Sequence, residues 1–378
     1  MRKIFSTVLF FIMTFLSIGC SQESEADSAA RVETTIDKPD PIDEILKTMS
    51  LTEKIGQMVM IGIHGTDVDE DSLYMLRQFH FGGVILFSRN IDSLEQTARL
   101  VEHIQLQSEE KVPLFIAIDE EGGRVSRLGH VIESAPSQQS IGLSGSLDTE
   151  KNYVDRTCKT LRSIGVNVNF APVADVQDDE RSFGTDAQTV AAFVDASARS
   201  YEDNGIIYCL KHFPGIGRGV VDSHEEISSI DAPLDEIKDI DLVPFKEVID
   251  NHPHDRFMVM ATHIKYPALD PDNSASLSSE VLTGLLRNEM GFDGVIVTDD
   301  LEMGAAANHN LFREVGVKAI KAGADIALVC HEYAHEQNVY LGILEAVKRG
   351  EISEERIDQS VRRIFRAKLN NIAIDGAD

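Results

Sequence analysis

Eight short apolar runs, at 58–63, 83–87, 114–118, 166–171, 206–210, 257–262, 294–298 and 325–330, recur along most of the chain and read as β-strands. Amphipathic helical stretches alternate with them, among them 92–107, 186–204, 278–290 and 314–322, the last stopped by Gly323. One helix over 42–55 precedes the first strand. Helices over 336–349 and 354–369 follow the last strand and are expected to cover it and close the structure. Eight β–α units in roughly the length of one such domain predict an α/β fold, a (β/α)8 TIM barrel, rather than an open sheet. Residues 42–378 are therefore expected to form one domain, with no second domain and no shorter internal repeat.

In such a barrel a ligand meets the residues just past the C-terminal ends of the strands. Those positions are unusually polar. The third strand is followed by Asp119-Glu120-Glu121-Gly122-Gly123-Arg124-Val125-Ser126-Arg127, and the fourth by Pro172, Asp175 and Glu180-Arg181-Ser182-Phe183. The sixth ends at Thr262-His263 and the seventh at Thr298-Asp299-Asp300-Leu301-Glu302-Met303. After the fifth comes the densest stretch, Lys211-His212-Phe213-Pro214-Gly215-Ile216-Gly217-Arg218-Gly219-Val220-Val221-Asp222-Ser223-His224. Its proline and three glycines cannot continue the strand 206–210 as a regular ladder, so its polar groups are expected in a loop. Asp222 and His224 are two residues apart and leave the same side of an extended segment. A carboxylate beside an imidazole fixes the ring's tautomer and raises its pKa, as a general acid working near neutral pH requires.

Blander readings of this loop are weaker. A phosphate cradle would need a different glycine spacing and a helix opening behind it, and Asp222, Glu225 and Glu226 would repel the anion. Lys211 as a Schiff-base nucleophile, and Asp222, His212 and His224 as metal ligands, are open from residue types alone. A purely structural turn explains the proline and glycines but not the lysine, two histidines and aspartate. The whole mouth offers Asp119, Arg127, Arg181, Lys211, His212, Asp222, His224, His263 and Asp299. Several polar groups converging on one rim favour a small, polyhydroxylated, uncharged or weakly charged ligand, and sugar hydroxyls take paired hydrogen bonds from carboxylates, Arg and Lys together.

The N-terminus has a different character. Arg2 and Lys3 precede an apolar run from Ile4 to Leu16, and small residues lead to Gly19-Cys20, the pattern of a bacterial secretory signal over 1–19. Leu16-Ser17-Ile18-Gly19-Cys20 resembles the lipobox of a bacterial lipoprotein, with Cys20 as the lipidated residue. Residues 20–41 are polar, acidic and poor in large apolar side chains, and read as a disordered tether with a reach of about 25 Å. The expected location is thus the bacterial cell envelope, on its periplasmic or surface face, with the lipid anchor as the one membrane contact. Removing Arg2 and Lys3 with the signal takes the formal charge from −28 to −30. Such a charge argues against nucleic acid and polyanionic substrates. Cys158, Cys209 and Cys330 are widely spaced, form neither a metal pattern nor a disulfide framework, and read as small apolar residues.

Five segments together resemble the glycoside hydrolase family 3 β-N-acetylglucosaminidases of the single-domain, barrel-only kind. They are Gly82-Gly83-Val84-Ile85-Leu86-Phe87-Ser88-Arg89-Asn90, Asp119 through Arg127, Asn169-Phe170-Ala171-Pro172-Val173-Ala174-Asp175, the Lys211–His224 loop, and the run from Gly291 through Leu301. The likeness covers nearly everything after the tether. It implies that Asp299 is the catalytic nucleophile, that His224 is the acid/base with Asp222 as its partner, and that Asp119, Arg127, Arg181, Lys211 and His212 bind the sugar. The implied reaction is retaining hydrolysis of terminal non-reducing β-linked N-acetylglucosamine, from peptidoglycan or chitin-derived oligosaccharides, by a monomer needing neither metal nor organic cofactor. Two positions depart from the family pattern. Ile216 stands where His is usual, and Arg218 where an acidic residue is frequent.

Alternatives within enzymes are a glycoside phosphorylase, since a His in place of Glu can admit phosphate as acceptor in this family, and a β-glucosidase of the same family. A lipoprotein that binds cell-wall sugar without cleaving it is the alternative from another class, and the retention of Asp299, Asp222 and His224 together speaks against it. A metal-dependent barrel hydrolase is a further alternative, to be separated by whether activity survives a chelator.

Overall fold

The computed structural model describes residues 40–107, 112–217, 229–303 and 309–372, with side chains throughout except at 309–311. The signal, the expected tether up to residue 39, Cys20, Asp222 and His224 lie outside the described residues, and the tether's last two positions, Asp40 and Pro41, cap and open the first helix. Eight parallel strands form one barrel: β1 (Val59–Gly62), β2 (Gly83–Leu86), β3 (Phe115–Ile118), β4 (Val168–Asn169), β5 (Ile207–Phe213), β6 (Phe257–Ala261), β7 (Val295–Thr298) and β8 (Ala327–Val329). Each pairs with its neighbour in sequence, as in Met60↔Gly83 between β1 and β2 and Val295↔Met258 between β7 and β6. The ring is completed by β8, which pairs with β1 at Val59↔Ala327 through Ile61↔Val329 and meets β7 at a Val297↔Ile326 bridge. All eight predicted strands are present, and the architecture is the expected (β/α)8 barrel.

These strands are short, and every residue in them is buried, because the barrel's interior covers one face and the helices cover the other. Helices Glu70–Phe79, Leu94–Gln105, Leu147–Ser163, Ala187–Asp203, Val243–Asn251, Glu280–Glu289, His309–Ala322 and Tyr333–Lys348 follow β1 to β8 in turn. Several start on side-chain caps: Asp69, Ser93, Ser146 and Asp186 each accept from the backbone N–H three residues on. Cys158, Cys209 and Cys330 are buried free thiols, as their spacing implies.

Three expectations need correction. The helix over 42–55 is two helices, Pro41–Thr48 and Leu51–Gln57, because Ser50 and Glu53 form a capping box that starts a new one. Strand β5 runs on through Phe213, so Lys211 and His212 belong to its end and are buried, rather than lying in a loop. The ladder to β6 shifts register between Leu210 and Phe213, and the Lys211–His212 and Phe213–Pro214 peptide bonds are cis. Finally, the strands themselves close the barrel. The last helix, Glu354–Asn371, packs against the two N-terminal helices, and its buried Lys368 donates to Gln57 Oε1 (2.8 Å) beneath the Phe115 ring.

The N-terminal floor holds a buried ion network. Asp325, wholly buried before β8, accepts from Arg287, from Ser360 Oγ (2.6 Å), from the Ile296 N–H (3.0 Å) and from Arg363 (3.3 Å). Arg363 and Arg366 also hold Asp293, so the last helix is pinned to the starts of β7 and β8. Burial depresses the Arg287 guanidinium to about 10 despite Asp325, with Arg363 and Arg356 adding to the effect.

Candidate active site

Asp119 directly follows strand β3, and the hairpin behind it, Glu120–Gly122 against Val125–Ser126, brings Arg127 back over it. The hairpin turns at Gly122 and Gly123, whose φ angles of 92° and 56° favour glycine, and a Cβ on Gly122 would lie 2.4 Å from the Pro136 carbonyl. Asp119 thereby accepts from Arg127 Nη2 (3.1 Å) and, from across the mouth, Lys211 Nζ (2.8 Å). Lys211 also meets Glu121 Oε1 at 2.6 Å. Glu121 in turn takes a two-pronged contact from Arg181, Nε to Oε2 and Nη2 to Oε1, both 2.8 Å. Two carboxylates and three cations from β3, β5 and the loop after β4 are thus joined in one chain of contacts.

The chain continues to His212. Arg181 Nη2 lies 3.2 Å from His212 Nε2, and His212 Nδ1 lies 2.8 Å from Asp175 Oδ2. A guanidinium can only donate, so Nε2 accepts and Nδ1–H donates to Asp175, which fixes the ring's tautomer. Asp175 is wholly buried, and its Oδ1 also accepts the backbone N–H groups of His212 (3.1 Å) and Ile216 (2.9 Å). Ile216, where the family usually has His, is therefore held by its backbone. Gly217 follows with no room for a side chain, since a Cβ would sit 1.9 Å from the Val176 carbonyl.

Electrostatics follow the contacts. Burial would raise the Glu121 carboxyl, but Lys211 and Arg181 outweigh it and hold it at about 2. Asp119 is likewise held low by Lys211 and Arg127 against its burial, and Lys211 is held high by both carboxylates. Behind this cradle a small, partly open pocket of about 20 Å³ is lined by Glu120, Glu121 and Glu150. There burial wins: Glu120 is raised, and Glu150, with only Ser197 Oγ to oppose the effect, reaches about 7.

Asp299 stands at the end of β7, half-buried, its N–H bonded to the Ala261 carbonyl and its Oδ1 accepting the Asp300 N–H (2.9 Å). The buried thiols of Cys209 and Cys330 are pushed up chiefly by burial, with Asp119 and Asp299 adding to both. His263 serves the loop: its Nε2 donates to the Asp300 carbonyl (2.9 Å) and its Nδ1 pairs with Ser276 (2.7 Å). Asp300, Glu302 and His331 carry ligand atoms within 4.8 Å of one another. However, Arg89 Nη1 faces His331 Nδ1 (3.3 Å), which leaves Nε2 as the proton carrier turned to Asp300 Oδ2 (3.2 Å) and no ring lone pair for a cation.

Of the sequence-predicted residues, the structure gathers Asp119, Arg127, Arg181, Lys211 and His212 into this one cradle. Glu121 and Asp175, which link them, were not among the predicted sugar contacts.

Residues 50–367 match the model of the glycosyl hydrolase family 3 N-terminal domain. The chain belongs to glycosyl hydrolase family 3. Relatives in this family include the β-hexosaminidase A of Pseudoalteromonas piscicida, 32% identical over 78% of this chain and 54% of that protein. The β-hexosaminidase of Nitrosomonas eutropha is 35% identical over 72% of this chain and 80% of its own length. Among solved structures, a family 3 β-N-acetylglucosaminidase from Paenibacillus sp. str. FPU-7 superposes with a TM-score of 0.79 at 34% identity, covering 87% of this chain and 65% of that one. The chain thus spans about half the length of the Pseudoalteromonas family member and under two thirds of the Paenibacillus one.

Proposed function

We propose that this chain is a retaining β-N-acetylhexosaminidase that releases terminal non-reducing β-linked N-acetylglucosamine, with Asp299 as nucleophile and His224, assisted by Asp222, as acid/base. The observation that carries the reading is the cradle itself: Asp119, Glu121, Lys211, Arg181 and His212 form one preordered set of donors and acceptors on the same rim as Asp299. Sugar hydroxyls satisfy such a set in pairs, giving oxygen lone pairs to Lys and Arg and protons to carboxylates. Family membership, and the activities named for its relatives, support the substrate class.

Asp299 attacks the anomeric carbon while His224 gives its proton to the departing glycosidic oxygen, forming a glycosyl ester on Asp299. His224 then takes a proton from water, which attacks the same carbon and frees Asp299. A 5-fluoro glycoside should trap the ester, and mass spectrometry should place the label on Asp299. A label on Asp300, or none on an active preparation, would reject the assignment. Running the same assay in phosphate distinguishes the products, since a glycosyl phosphate in place of free sugar identifies a phosphorylase.

For the N-terminus the proposal is lipidation at Cys20, which would hold the barrel at a membrane in the bacterial cell envelope. Among the described residues no helix is long and apolar enough to cross a membrane. Cys20→Ser should move the protein from the membrane fraction to the soluble one at unchanged specific activity, and soluble wild-type protein would refute the anchor.

A further inference from the structure

Residues 218–228, which carry Asp222 and His224, lie outside the described residues, but the chain on either side of them does not. Both flanks are fastened to one place, a small antiparallel ribbon past β6. In it Lys265–Tyr266 runs against Asp270–Ser274, with Tyr266 opposite Asp270 and Lys265 opposite Ser274. On the leading flank the Tyr266 hydroxyl donates to the Gly215 carbonyl (2.8 Å), a group that can only accept. On the returning flank the Ile230 N–H donates to the Lys265 carbonyl (2.9 Å), and Ser229 forms a parallel bridge with Lys265. Two consecutive residues thus hold the chain where it leaves and where it returns.

The bond from Tyr266 lies inside the protein. Its ring is wholly buried, and burial pushes the phenol well up, with Asp175 and Asp241 adding to the effect, so the hydroxyl keeps its proton and stays a donor. Asp175 fastens the next residue but one from Pro214 through the Ile216 N–H (2.9 Å), and ties His212 to the same spot. The leading flank is therefore pinned to the cradle and to the ribbon at adjacent residues, Ile216 and Gly215.

The ribbon also reaches the nucleophile. Its base is joined to the end of β6 by two bonds of 2.9 Å, Ala275 N–H to the Ile264 carbonyl and Ser276 N–H to the Thr262 carbonyl. Between them His263 donates to the Asp300 carbonyl, and the Asp300 N–H bonds to Asp299 Oδ1. One short stretch of backbone, His263 to Tyr266, thus connects the turn that bears Asp299 with the flank of the segment that bears His224. Retaining hydrolysis needs two groups flanking one glycosidic bond at a set separation, and a general acid works only within hydrogen-bond reach of the departing oxygen.

We propose that Tyr266 is a positioning residue for the acid/base: by holding Gly215 it sets where the segment carrying His224 leaves the barrel, relative to the turn carrying Asp299. This rests on the reading of His224 as the acid and adds the residue through which the fold places it.

Tyr266→Phe keeps the buried ring and removes only the hydroxyl. The readout is kcat/KM, which reports the departure of the leaving group, on two substrates. N,N′-diacetylchitobiose has a sugar leaving group that needs a proton, whereas a dinitrophenyl β-N-acetylglucosaminide has one that does not. Tyr266→Phe should lose about tenfold on the disaccharide, part of the roughly 10²–10⁴-fold that general-acid assistance supplies, and less than about twofold on the aryl glycoside. Inhibition by free N-acetylglucosamine, which reads the cradle, should be unchanged. In a His224→Ala background Tyr266→Phe should cost the disaccharide nothing further, because it acts through the group already removed. Additive losses, weakened inhibition, equal losses on both substrates, or no loss on either would overturn the positioning role and leave the glycosidase reading standing. If His224→Ala itself fails to discriminate between the two substrates, His224 is not the acid, and the proposal falls with that reading.

Discussion

Buried ion networks sit at both ends of this barrel, and they differ in what they leave over. At the floor, Asp325 is saturated: Oδ2 takes the Ile296 N–H and Arg287, and Oδ1 takes Ser360 and Arg363. Its partners come from a strand, a neighbouring helix and the last helix, so the network is a clamp with nothing to offer a ligand. At the mouth, Asp119 and Glu121 share Lys211, Arg181 and Arg127, and the buried Arg127 Nε has no hydrogen-bond partner among the described residues. A buried donor without a partner costs free energy in the folded state, and a hydroxyl arriving there would recover it. Similar chemistry is thus saturated at one end and leaves hydrogen-bonding capacity at the other, in keeping with the division of labour between the two faces of such barrels.

The contrast is sharpest at Lys211. In Lys211→Met each carboxylate keeps a guanidinium, Arg127 on Asp119 and Arg181 on Glu121, so the barrel should still fold. Activity should not survive as well: kcat/KM on an N-acetylglucosaminide should fall about 10–10²-fold, the scale of a lost charged hydrogen bond in a buried site. A collapse in Tm of the same variant would show the mouth network to be structural and dissolve the distinction.

Asp325→Ala should do the reverse. It strands Arg287, Arg363 and Arg356, whose Nη1 lies 3.7 Å from Asp325 Oδ1, around a vacated site, and urea unfolding should report a loss of about 3–5 kcal/mol, the usual cost of breaking a buried ion network from one side. KM measured on the folded fraction should stay unchanged. A raised KM would mean that the floor reaches the mouth.

Glu150, behind the cradle, gives a smaller and pH-dependent effect. Its folded pKa of about 7 lies above the ordinary 4.5, so the folded state binds a proton that the unfolded chain releases more readily. The associated stability is fully present below about pH 4.5 and is lost as pH rises through 7, about 3 kcal/mol in all. Glu150→Gln should remove that slope from unfolding curves taken between pH 4.5 and 8. If the slope persists, Glu150 is not its source.

All eight strands were legible because each is a compact apolar run, and burial on both faces leaves little room for polar interruptions. The division of the first helix was also written in the sequence, as Ser50 followed three residues later by Glu53, but the apolar periodicity running across it masks that signal. At the mouth, Asp119 and Arg127 were found through their motif. Glu121 could have been found by alternation, since it lies two residues from Asp119 and shares its side of an extended segment. Asp175 is different. Its hold on His212 spans 37 residues and depends on the segment after β4 lying against β5 at the Val173↔Lys211 bridge, which no local pattern encodes. Even Phe213 within β5 escaped notice, because the proline after it reads as a strand breaker while the ladder in fact continues up to it.

The pairing of β1 with β8 has a consequence for how the molecule is made. The ribosome delivers Val59, Met60 and Ile61 early, and their partners Ala327, Leu328 and Val329 come last, tens of seconds later at roughly 5–20 residues per second. Through that interval β1 offers an apolar edge with no strand to cover it, an invitation to the wrong partner. Whatever escorts the nascent chain must shield that edge until the final strand arrives. If residues 1–20 direct export, the same delay is useful, because a ring that cannot close before its end is synthesised stays threadable through a membrane pore.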